Sequence, residues 1–275
     1  MKTKPETAVN KLTRIVLVAA VMMFLLVTVV VLLNGPEIFP EFSIGQSTQL
    51  QPNPFTEDDF TYVDGYMTCL AADTWLGVDV SHHQGQIRWN EVADAGIRYA
   101  MIRVAHRAVS DGELRMDRYW EDNITGAREA GLLVGVYFYS QAISVEEARE
   151  EAQYVLNALE GIELDFPVVF DWEVYSETGR NANVDPKTVN ACAIAFCEAM
   201  QEAGYEPMVY FNLDLANRFW DLELLKEQGY PFWLALYRDK MNWQYRPDMW
   251  QYTESGSVPG IDTPVDLNLL FLPDE

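Results

Sequence analysis

The sequence predicts an α/β protein: a modified TIM-like (β/α)5(β)3 barrel of eight strands and five helices in one domain, preceded by one transmembrane helix. Three observations predict this fold. Glycines recur where helices should end, a short apolar run follows each of these glycines, and a long uncharged stretch lies near the amino terminus. The length of 275 residues suits this plan, because α/β barrels routinely contain about 200–250 residues.

The first predicted element is the uncharged run at residues 15–33, IVLVAAVMMFLLVTVVVLL. As a helix it would be about 28 Å long, which matches the hydrocarbon core of a bilayer. A cleaved signal peptide has a shorter apolar region of about 7–15 residues followed by small residues, whereas this run ends at Asn34. We therefore expect an uncleaved single-pass span in the cell membrane, with the basic residues 1–14 in the cytoplasm and the rest outside.

Residues 34–75 are predicted to form an extracellular stalk or linker, because they contain four prolines and an acidic cluster at residues 57–59. The aromatic residues Phe55 and Phe60 indicate that part of this segment packs onto the domain that follows. We expect the barrel domain itself to span residues 76–275.

Five helix-to-strand junctions define the barrel. At each junction a glycine follows a plausible amphipathic helix, and glycine in a left-handed conformation is a common way to end a helix. The apolar runs that follow are nearly continuous instead of alternating, which is typical of parallel strands covered on both faces. The junction glycines are Gly96, Gly131, Gly161, Gly204 and Gly229.

The predicted amino-terminal ends of the helices are consistent with these glycine-marked carboxyl-terminal ends. Ser144 and Asp185 are each placed to cap the helix that follows. An open doubly wound sheet is the alternative arrangement, but we find no glycine-rich phosphate-binding turn of the kind that such sheets carry. Three further strands complete the eight, and the last two are too close together for an intervening helix. They lie at residues 75–80, 248–253 and 265–270.

The composition excludes several classes of function. The chain has 19 basic and 42 acidic residues and a formal charge of −23, so it repels phosphate and we expect no nucleic-acid partner. Its three cysteines show neither CxxC nor Cys/His spacing, and no disulfide framework is implied. His82 and His83 are adjacent and point apart, and one other histidine exists, so we expect no metal site.

Acidic residues at strand ends predict a catalytic site. Reacting groups of such barrels stand at the carboxyl ends of the strands, where we place Asp79, Asp171 with Glu173, and Asp266. The period of two along a strand sends Asp171 and Glu173 to the same face. Neighbouring carboxyl groups push their pKa values apart, which suits acid-catalysed cleavage of an acetal. The alternative is that these acids are solvated strand ends or helix caps.

Aromatic residues near the strand ends give a second signal. Sugar rings pack their C–H faces on aromatic side chains, so a mouth lined in this way suits a glycan. The alternative is that individual rings fill the barrel or its interface with the helices. The residues concerned are Tyr137, Tyr139, Tyr210, Trp233, Tyr237, Trp250 and Tyr252.

Several motifs together resemble glycoside hydrolase family 25, the lysozymes of the Chalaropsis type, in order over about residues 76–272. These enzymes cleave the β-1,4 bond between N-acetylmuramic acid and N-acetylglucosamine in peptidoglycan. The motifs are GVDVSHHQGQIRW (77–89), MIRVAHR (101–107), DRYWEDNITGAREAGLLVGVYFYSQA (117–142), PVVFDWE (167–173), FWLALY (232–237) and WQYTESGSVPGIDTPVDLN (250–268).

The resemblance implies roles for the acidic residues. Glu173 matches the general acid and Asp171 its partner in the D-x-E motif, while Asp79 and Asp266 match the acids of the first and last strands. Whether the substrate's 2-acetamido group or a carboxylate is the nucleophile stays open. The resemblance also implies that no cofactor is needed. The expected substrate contacts are Tyr137, Tyr139, Tyr210, Tyr237, Trp250 and Gln251.

The sequence thus predicts a membrane-anchored hydrolase of peptidoglycan glycan strands with its catalytic domain outside the cell. Two rival hypotheses remain at this point. One is a wall-binding scaffold module that retains the barrel without turnover, and the other is a hydrolase of the same fold that acts on a different N-acetylated glycan. The oligomeric state is open.

Overall fold

Strands alternate with helices along most of the chain in the computed structural model, which describes residue 44 and residues 47–273. The strands are β1 (Phe60–Val63), β2 (Tyr66–Cys69), β3 (Thr74–Val80), β4 (Tyr99–Arg107), β5 (Leu114–Met116), β6 (Leu133–Ser140), β7 (Val168–Trp172), β8 (Pro207–Asn212), β9 (Phe232–Ala235), β10 (Met249–Gly256) and β11 (Val265–Phe271). The helices are α1 (Trp89–Asp94), α2 (Trp120–Glu129), α3 (Val145–Ala158), α4 (Pro186–Glu202), α5 (Leu213–Arg218) and α6 (Leu222–Glu227).

Eight of these strands close into a barrel in the order β3, β4, β6, β7, β8, β9, β10 and β11, which confirms the predicted strand count. Neighbouring strands from β3 to β10 are parallel, whereas β11 is antiparallel to both β10 and β3. The connection at residues 257–264 is too short for the crossover that a parallel strand needs, so β11 runs antiparallel to β10. The short strand β5 is an addition that the sequence did not predict, and it pairs with β4.

The glycine junctions and the helix caps are confirmed. All five junction glycines have positive φ angles, between 76° and 90°, which an L side chain disfavours. The Ser144 hydroxyl accepts a hydrogen bond from the backbone N–H of Glu147 at 3.3 Å, and the Asp185 carboxylate accepts one from that of Lys187 at 3.0 Å. Local sequence signals therefore set the β/α spacing of the barrel.

The fifth predicted helix is instead two short helices, α5 and α6. The break lies at residues 219–221, where the buried side chain of Asn190 binds the backbone of the connecting turn. Its amide donates to the carbonyl of Phe219 at 2.7 Å, and its oxygen accepts from the N–H of Asp221 at 2.9 Å. Asp221 in turn caps α6 by accepting from the N–H of Leu224 at 3.1 Å.

The segment expected to be a linker contributes to the folded unit, which extends from Ser43 to Glu275. Strands β1 and β2 form a hairpin that packs on β10 and β11, and within the described residues no helix follows either of these barrel strands. Phe60 of β1 packs edge-on against Trp250 at 5.1 Å between ring centroids, and Phe55 stacks on Phe271 at 4.9 Å. The hairpin therefore covers apolar side chains where a helix would otherwise lie, and the boundary expected at residue 76 falls inside this unit.

The predicted membrane span at residues 15–33 and the tail at residues 1–14 lie outside the described residues. Within residue 44 and residues 47–273, the structure contains no helix that is both long and apolar enough to cross a bilayer.

Candidate active site

The mouth of the barrel brings together the four acidic residues expected at a catalytic site. Asp79 stands near the end of β3, Asp171 lies on β7, and Glu173 directly follows that strand. Asp266 is the second residue of β11, so it lies at the beginning of its strand and not at the end, as the sequence interpretation assumed. Because β11 is antiparallel, its beginning reaches the same rim, and Asp266 is in register with Asp79.

The four carboxyl groups line a cavity of about 240 Å3. Four tyrosines and one tryptophan contribute to its other walls, and Arg103 is the only Lys or Arg among the described residues that line it. A negatively charged cavity with aromatic walls suits a neutral polar ligand such as a sugar better than an anion. The remaining lining residues are Ser81, His83, Gln84, Tyr137, Tyr139, Tyr210, Trp233, Tyr237, Gln251 and Glu254.

Two side-chain amides hold the buried Asp79. Its Oδ2 atom accepts hydrogen bonds from Gln251 Nε2 at 2.9 Å and from Asn268 Nδ2 at 2.8 Å. The indole N–H of Trp233 can only donate, and it does so to Asn268 Oδ1 at 2.8 Å, which fixes the orientation of that amide. The hydroxyl of Tyr210 likewise donates to Gln251 Oε1 at 2.9 Å. Two donors on one oxygen favour the ionised form of Asp79.

The carboxyl groups of Asp79 and Asp266 influence each other's pKa. Burial raises the pKa of Asp79 to about 6, and its hydrogen bonds with Asn268, Gln251 and Asp266 oppose that rise. Burial and the charge of Asp79 together raise the pKa of Asp266 to about 9. These shifts favour a proton on Asp266 and the negative charge on Asp79.

Asp171 and Glu173 form the second acidic pair. Burial, with a contribution from the charge of Asp79, raises the pKa of Glu173 to about 7. Burial and the charge of Glu173 raise the pKa of Asp171 well above its usual range, and Arg103 opposes this rise. The Oδ1 atom of Asp171 is buried and has no hydrogen-bond partner among the described residues. The pair can hold a proton near neutral pH and offers a free acceptor to a ligand.

Arg103 is a residue of the cavity that sequence reasoning missed. It lies on β4 and donates to Asp117 Oδ2 from Nε at 3.0 Å and from Nη2 at 2.8 Å. The same oxygen accepts from the backbone N–H of His82 at 2.9 Å, so Asp117 fixes the guanidinium in place. Arg103 interrupts the apolar part of β4 at residues 99–105, and this was the available signal, because a buried arginine needs a partner.

The tyrosines expected to contact substrate all line the cavity. Tyr137 and Tyr139 project from β6, Tyr210 comes from β8, and Tyr237 follows β9. Tyr237 is 46% exposed, and its hydroxyl donates to Gln251 Oε1 at 3.0 Å. These rings offer the apolar faces and the hydroxyl groups that a bound sugar requires.

Trp250 lies outside the cavity and is removed from the candidate substrate contacts. It is fully buried, and its indole N–H donates to the carbonyl of Leu236 at 2.8 Å. Alternation along β10 turns Gln251 toward the cavity and Trp250 away from it, so only one of these neighbours can meet a ligand.

The expectation that His82 and His83 point apart is wrong, because their ring centroids are 4.1 Å apart. The two rings nevertheless have different polar surroundings. His82 lies beside Asp117, with its Nδ1 atom 3.1 Å from Asp117 Oδ2, whereas His83 lines the cavity. No group of three or more His, Cys, Asp or Glu side chains within residue 44 and residues 47–273 is arranged to hold a metal ion.

Comparison with known proteins identifies the family. The model of glycosyl hydrolases family 25 matches residues 78–261. The uncharacterized protein YegX of Escherichia coli K12 is 31% identical, over 72% of this chain and 70% of its own length. The autolytic lysozyme of Clostridium acetobutylicum is 28% identical, over 70% of this chain and 54% of its own length.

Solved structures share the fold. A family 25 glycosyl hydrolase from Bacillus anthracis superposes with a TM-score of 0.60 at 19% identity, and the match covers 80% of this chain and 96% of that one. The modular autolysin LytC of Streptococcus pneumoniae gives a TM-score of 0.63 at 22% identity over 76% of this chain, which spans about half of LytC. The eight-stranded barrel, the site at its mouth and the family match agree, and the chain belongs to glycosyl hydrolases family 25 and is a glycosidase.

Proposed function

We propose that the chain is a membrane-anchored peptidoglycan hydrolase that cleaves the β-1,4 bond between N-acetylmuramic acid and N-acetylglucosamine outside the cell. The observation that carries the proposal is the pairing of Asp171 with Glu173 in an acidic, aromatic-walled cavity. Relatives named as an autolytic lysozyme and an autolysin, the latter solved with a synthetic peptidoglycan ligand, support this substrate class.

Glu173 is the proposed general acid. With its pKa raised to about 7, the carboxyl group keeps a substantial share of its proton at the pH of the cell surface. It protonates the oxygen of the leaving sugar while the bond from that oxygen to the anomeric carbon breaks. The ionised carboxylate that remains then takes a proton from the water that completes hydrolysis.

Asp171 is the proposed assistant of the substrate's own acetamido group. In this scheme the acetamido oxygen bonds to the anomeric carbon as the leaving group departs, and positive charge develops on the amide. The unpartnered Oδ1 of Asp171 would accept the amide N–H, and its charge would stabilise that of the amide. An N–H donor on Asp171 lowers its pKa, so substrate binding would place the charge on Asp171 and the proton on Glu173.

Digestion of purified peptidoglycan with residues 43–275 tests the reaction. The digestion should create new reducing ends of N-acetylmuramic acid, which mass spectrometry identifies. N-acetylglucosamine at the reducing end would contradict the bond assignment. Binding to the wall without any cleavage would favour a scaffold module, and cleavage only of other N-acetylated glycans would favour the second rival.

The proposed anchor rests on the uncharged run at residues 15–33 and its basic flank. Its test is membrane fractionation of cells, followed by protease treatment of intact protoplasts. The full-length chain should remain in the membrane fraction, and the protease should degrade its barrel. A barrel protected from the protease, or a soluble product that begins near residue 35, would contradict the anchor.

A further inference from the structure

Two buried side chains converge on the backbone of Glu173. Gln141 Nε2 donates to the Glu173 carbonyl oxygen at 2.7 Å, and Asn181 Nδ2 donates to the same oxygen at 2.8 Å. Neither Gln141 nor Asn181 has any exposed surface. A carbonyl oxygen can only accept, so both amides must present their N–H groups to it.

The turn after β6, which contains Gln141, also hydrogen-bonds to Trp172, the residue before Glu173. The indole N–H of Trp172 donates to the carbonyl of Ala142 at 2.9 Å. Trp172 is the last residue of β7 and pairs with Ser140 at the end of β6, so Glu173 lies just beyond the sheet. The turn after β6 therefore fixes the chain at the point where sheet hydrogen bonds stop.

An ion pair ties the two amide-bearing segments together. Arg180, which precedes Asn181, forms a two-pronged pair with Glu147 of α3, at 2.6 Å and 2.8 Å. The same guanidinium also donates to the carbonyl of Gln141. Both donors to Glu173 are thus anchored to one partly buried ion pair and not to a free loop.

The side-chain N–H groups of Gln141 and Asn181 bind Glu173, but the side-chain oxygens of the same two amides are left unpaired. Gln141 Oε1 and Asn181 Oδ1 are buried and have no hydrogen-bond partner among the described residues. Burying an unpaired carbonyl is unfavourable, so apolar side chains of similar shape would serve packing better. Positioning the backbone of Glu173 explains why two polar side chains occupy these sites.

We propose that Gln141 and Asn181 are positioning residues that hold the carboxyl group of Glu173 at the scissile bond. This inference rests on the proposed role of Glu173 as the general acid. A displacement of about 1 Å at a reacting group can cost on the order of 100-fold in rate. A carboxyl group that moves toward water also loses part of the desolvation that raises its pKa.

The test compares Gln141→Leu, Asn181→Ala and the double variant with the parent protein, residues 43–275. Each single change is expected to lower kcat about tenfold and the double change about 100-fold, with KM within about twofold, because substrate contacts are not removed. The alkaline limb of the pH profile, which follows Glu173, should shift to lower pH. Gln153→Leu and Asn157→Ala are matched controls, since these residues form an exposed hydrogen-bonded pair on α3.

Circular dichroism and thermal unfolding establish which variants are folded. If Gln141→Leu does not fold, Asn181→Ala alone tests the positioning role. Folded variants that differ from the parent only in melting temperature, with unchanged kcat and pH profile, would overturn the positioning role. Glu173→Gln is measured in parallel. If it stays active, the proposed role of Glu173 as general acid fails; if it is inactive while the positioning variants behave as the parent, only the inference about Gln141 and Asn181 fails.

Discussion

Asp266 at the beginning of β11 lies directly opposite Asp79 near the end of β3. Asp79 is buried and Asp266 is half-buried, and each of these two acids shifts the pKa of the other. Two neighbouring acids are most favourable when one of them is protonated, and the raised pKa of Asp266 favours the proton on that residue. The antiparallel direction of β11 makes this contact, because a parallel strand would bring its other end to the rim.

Asp266→Asn should increase stability more at high pH than at low pH. The pKa of Asp266 is raised in the folded protein to about 9, whereas an unfolded aspartate ionises near pH 4. The free energy of unfolding of the parent therefore falls as pH rises from about 4 toward about 9. An asparagine carries no such penalty. Between pH 5 and pH 8 the free energy of unfolding of the variant, relative to the parent, should rise by at least about 1.4 kcal/mol, the value of one pKa unit.

Urea denaturation across this pH range measures the effect, with the exposed Asp73→Asn as the control. A relative stability that stays constant or falls as pH rises would show that Asp266 is ionised in the folded protein at neutral pH.

Glu173→Gln should abolish cleavage without loss of fold or glycan binding. The amide keeps the shape of the side chain but delivers no proton to the leaving oxygen, and general acid catalysis typically contributes 10²–10⁴-fold. The measurement is the rate of release of reducing ends from peptidoglycan, alongside sedimentation with insoluble wall. Glu177→Gln, an exposed residue of the same loop, should behave as the parent. Activity of Glu173→Gln within about threefold of the parent would assign the acid elsewhere.

Asp171→Asn tests the need for a charge at residue 171, and covalent trapping of the parent protein separates the two mechanistic schemes. Asparagine can still accept the acetamido N–H, but it lacks the charge that stabilises the cationic intermediate, so most of the rate should be lost. No glycosyl-enzyme ester should accumulate in the parent protein when it is treated with a fluorinated substrate. Mass spectrometry detects such an ester directly. A sugar trapped on Asp171, Asp79 or Asp266 would favour a carboxylate nucleophile and leave the bond assignment unchanged.

Phe60→Ala should destabilise the barrel even though Phe60 precedes the residues that match the family. Its ring is 8% exposed and contacts both Trp250 and Phe271, so truncation should cost about 3 kcal/mol of the free energy of unfolding. Leu70→Ala is the control, because Leu70 is 67% exposed, and it should change stability by less than about 0.5 kcal/mol. Equal effects of the two changes in urea denaturation would show that the hairpin adds no stability.

Local signals were sufficient for the repeating part of the fold. Gly96 and the other junction glycines mark helix ends through backbone conformation alone, and Asp185 marks a helix start in the same way. The hairpin of β1 and β2 was not predicted, because its strands are short and its partners lie near the other end of the chain. The split between α5 and α6 depends on Asn190, a tertiary contact that no helix-local pattern contains.

The same distinction applies to the candidate site. Asp79, Asp171 and Glu173 could be placed at the rim because they stand at the carboxyl ends of their strands, a property that can be read from the chain. Asp266 reaches the same rim from the beginning of the antiparallel strand β11, a direction that the sequence interpretation did not include. Asn268 lies within β11 and holds Asp79 only because the barrel closes there, so its partner is not visible in the sequence. Trp250 was misplaced because aromatic character does not tell which face of a strand a ring occupies.

The position of the hairpin also determines when the chain can fold during synthesis. The N–H of Met67 reaches the Tyr252 hydroxyl, 185 residues later, and Asn53 reaches the carbonyl of Trp243, 190 residues later. Contacts at such separations give a high contact order, which slows folding. A nascent chain therefore leaves the ribosome with Phe60 and Met67 lacking their partners until nearly all of it has been made, and during that interval these apolar side chains favour aggregation or chaperone binding.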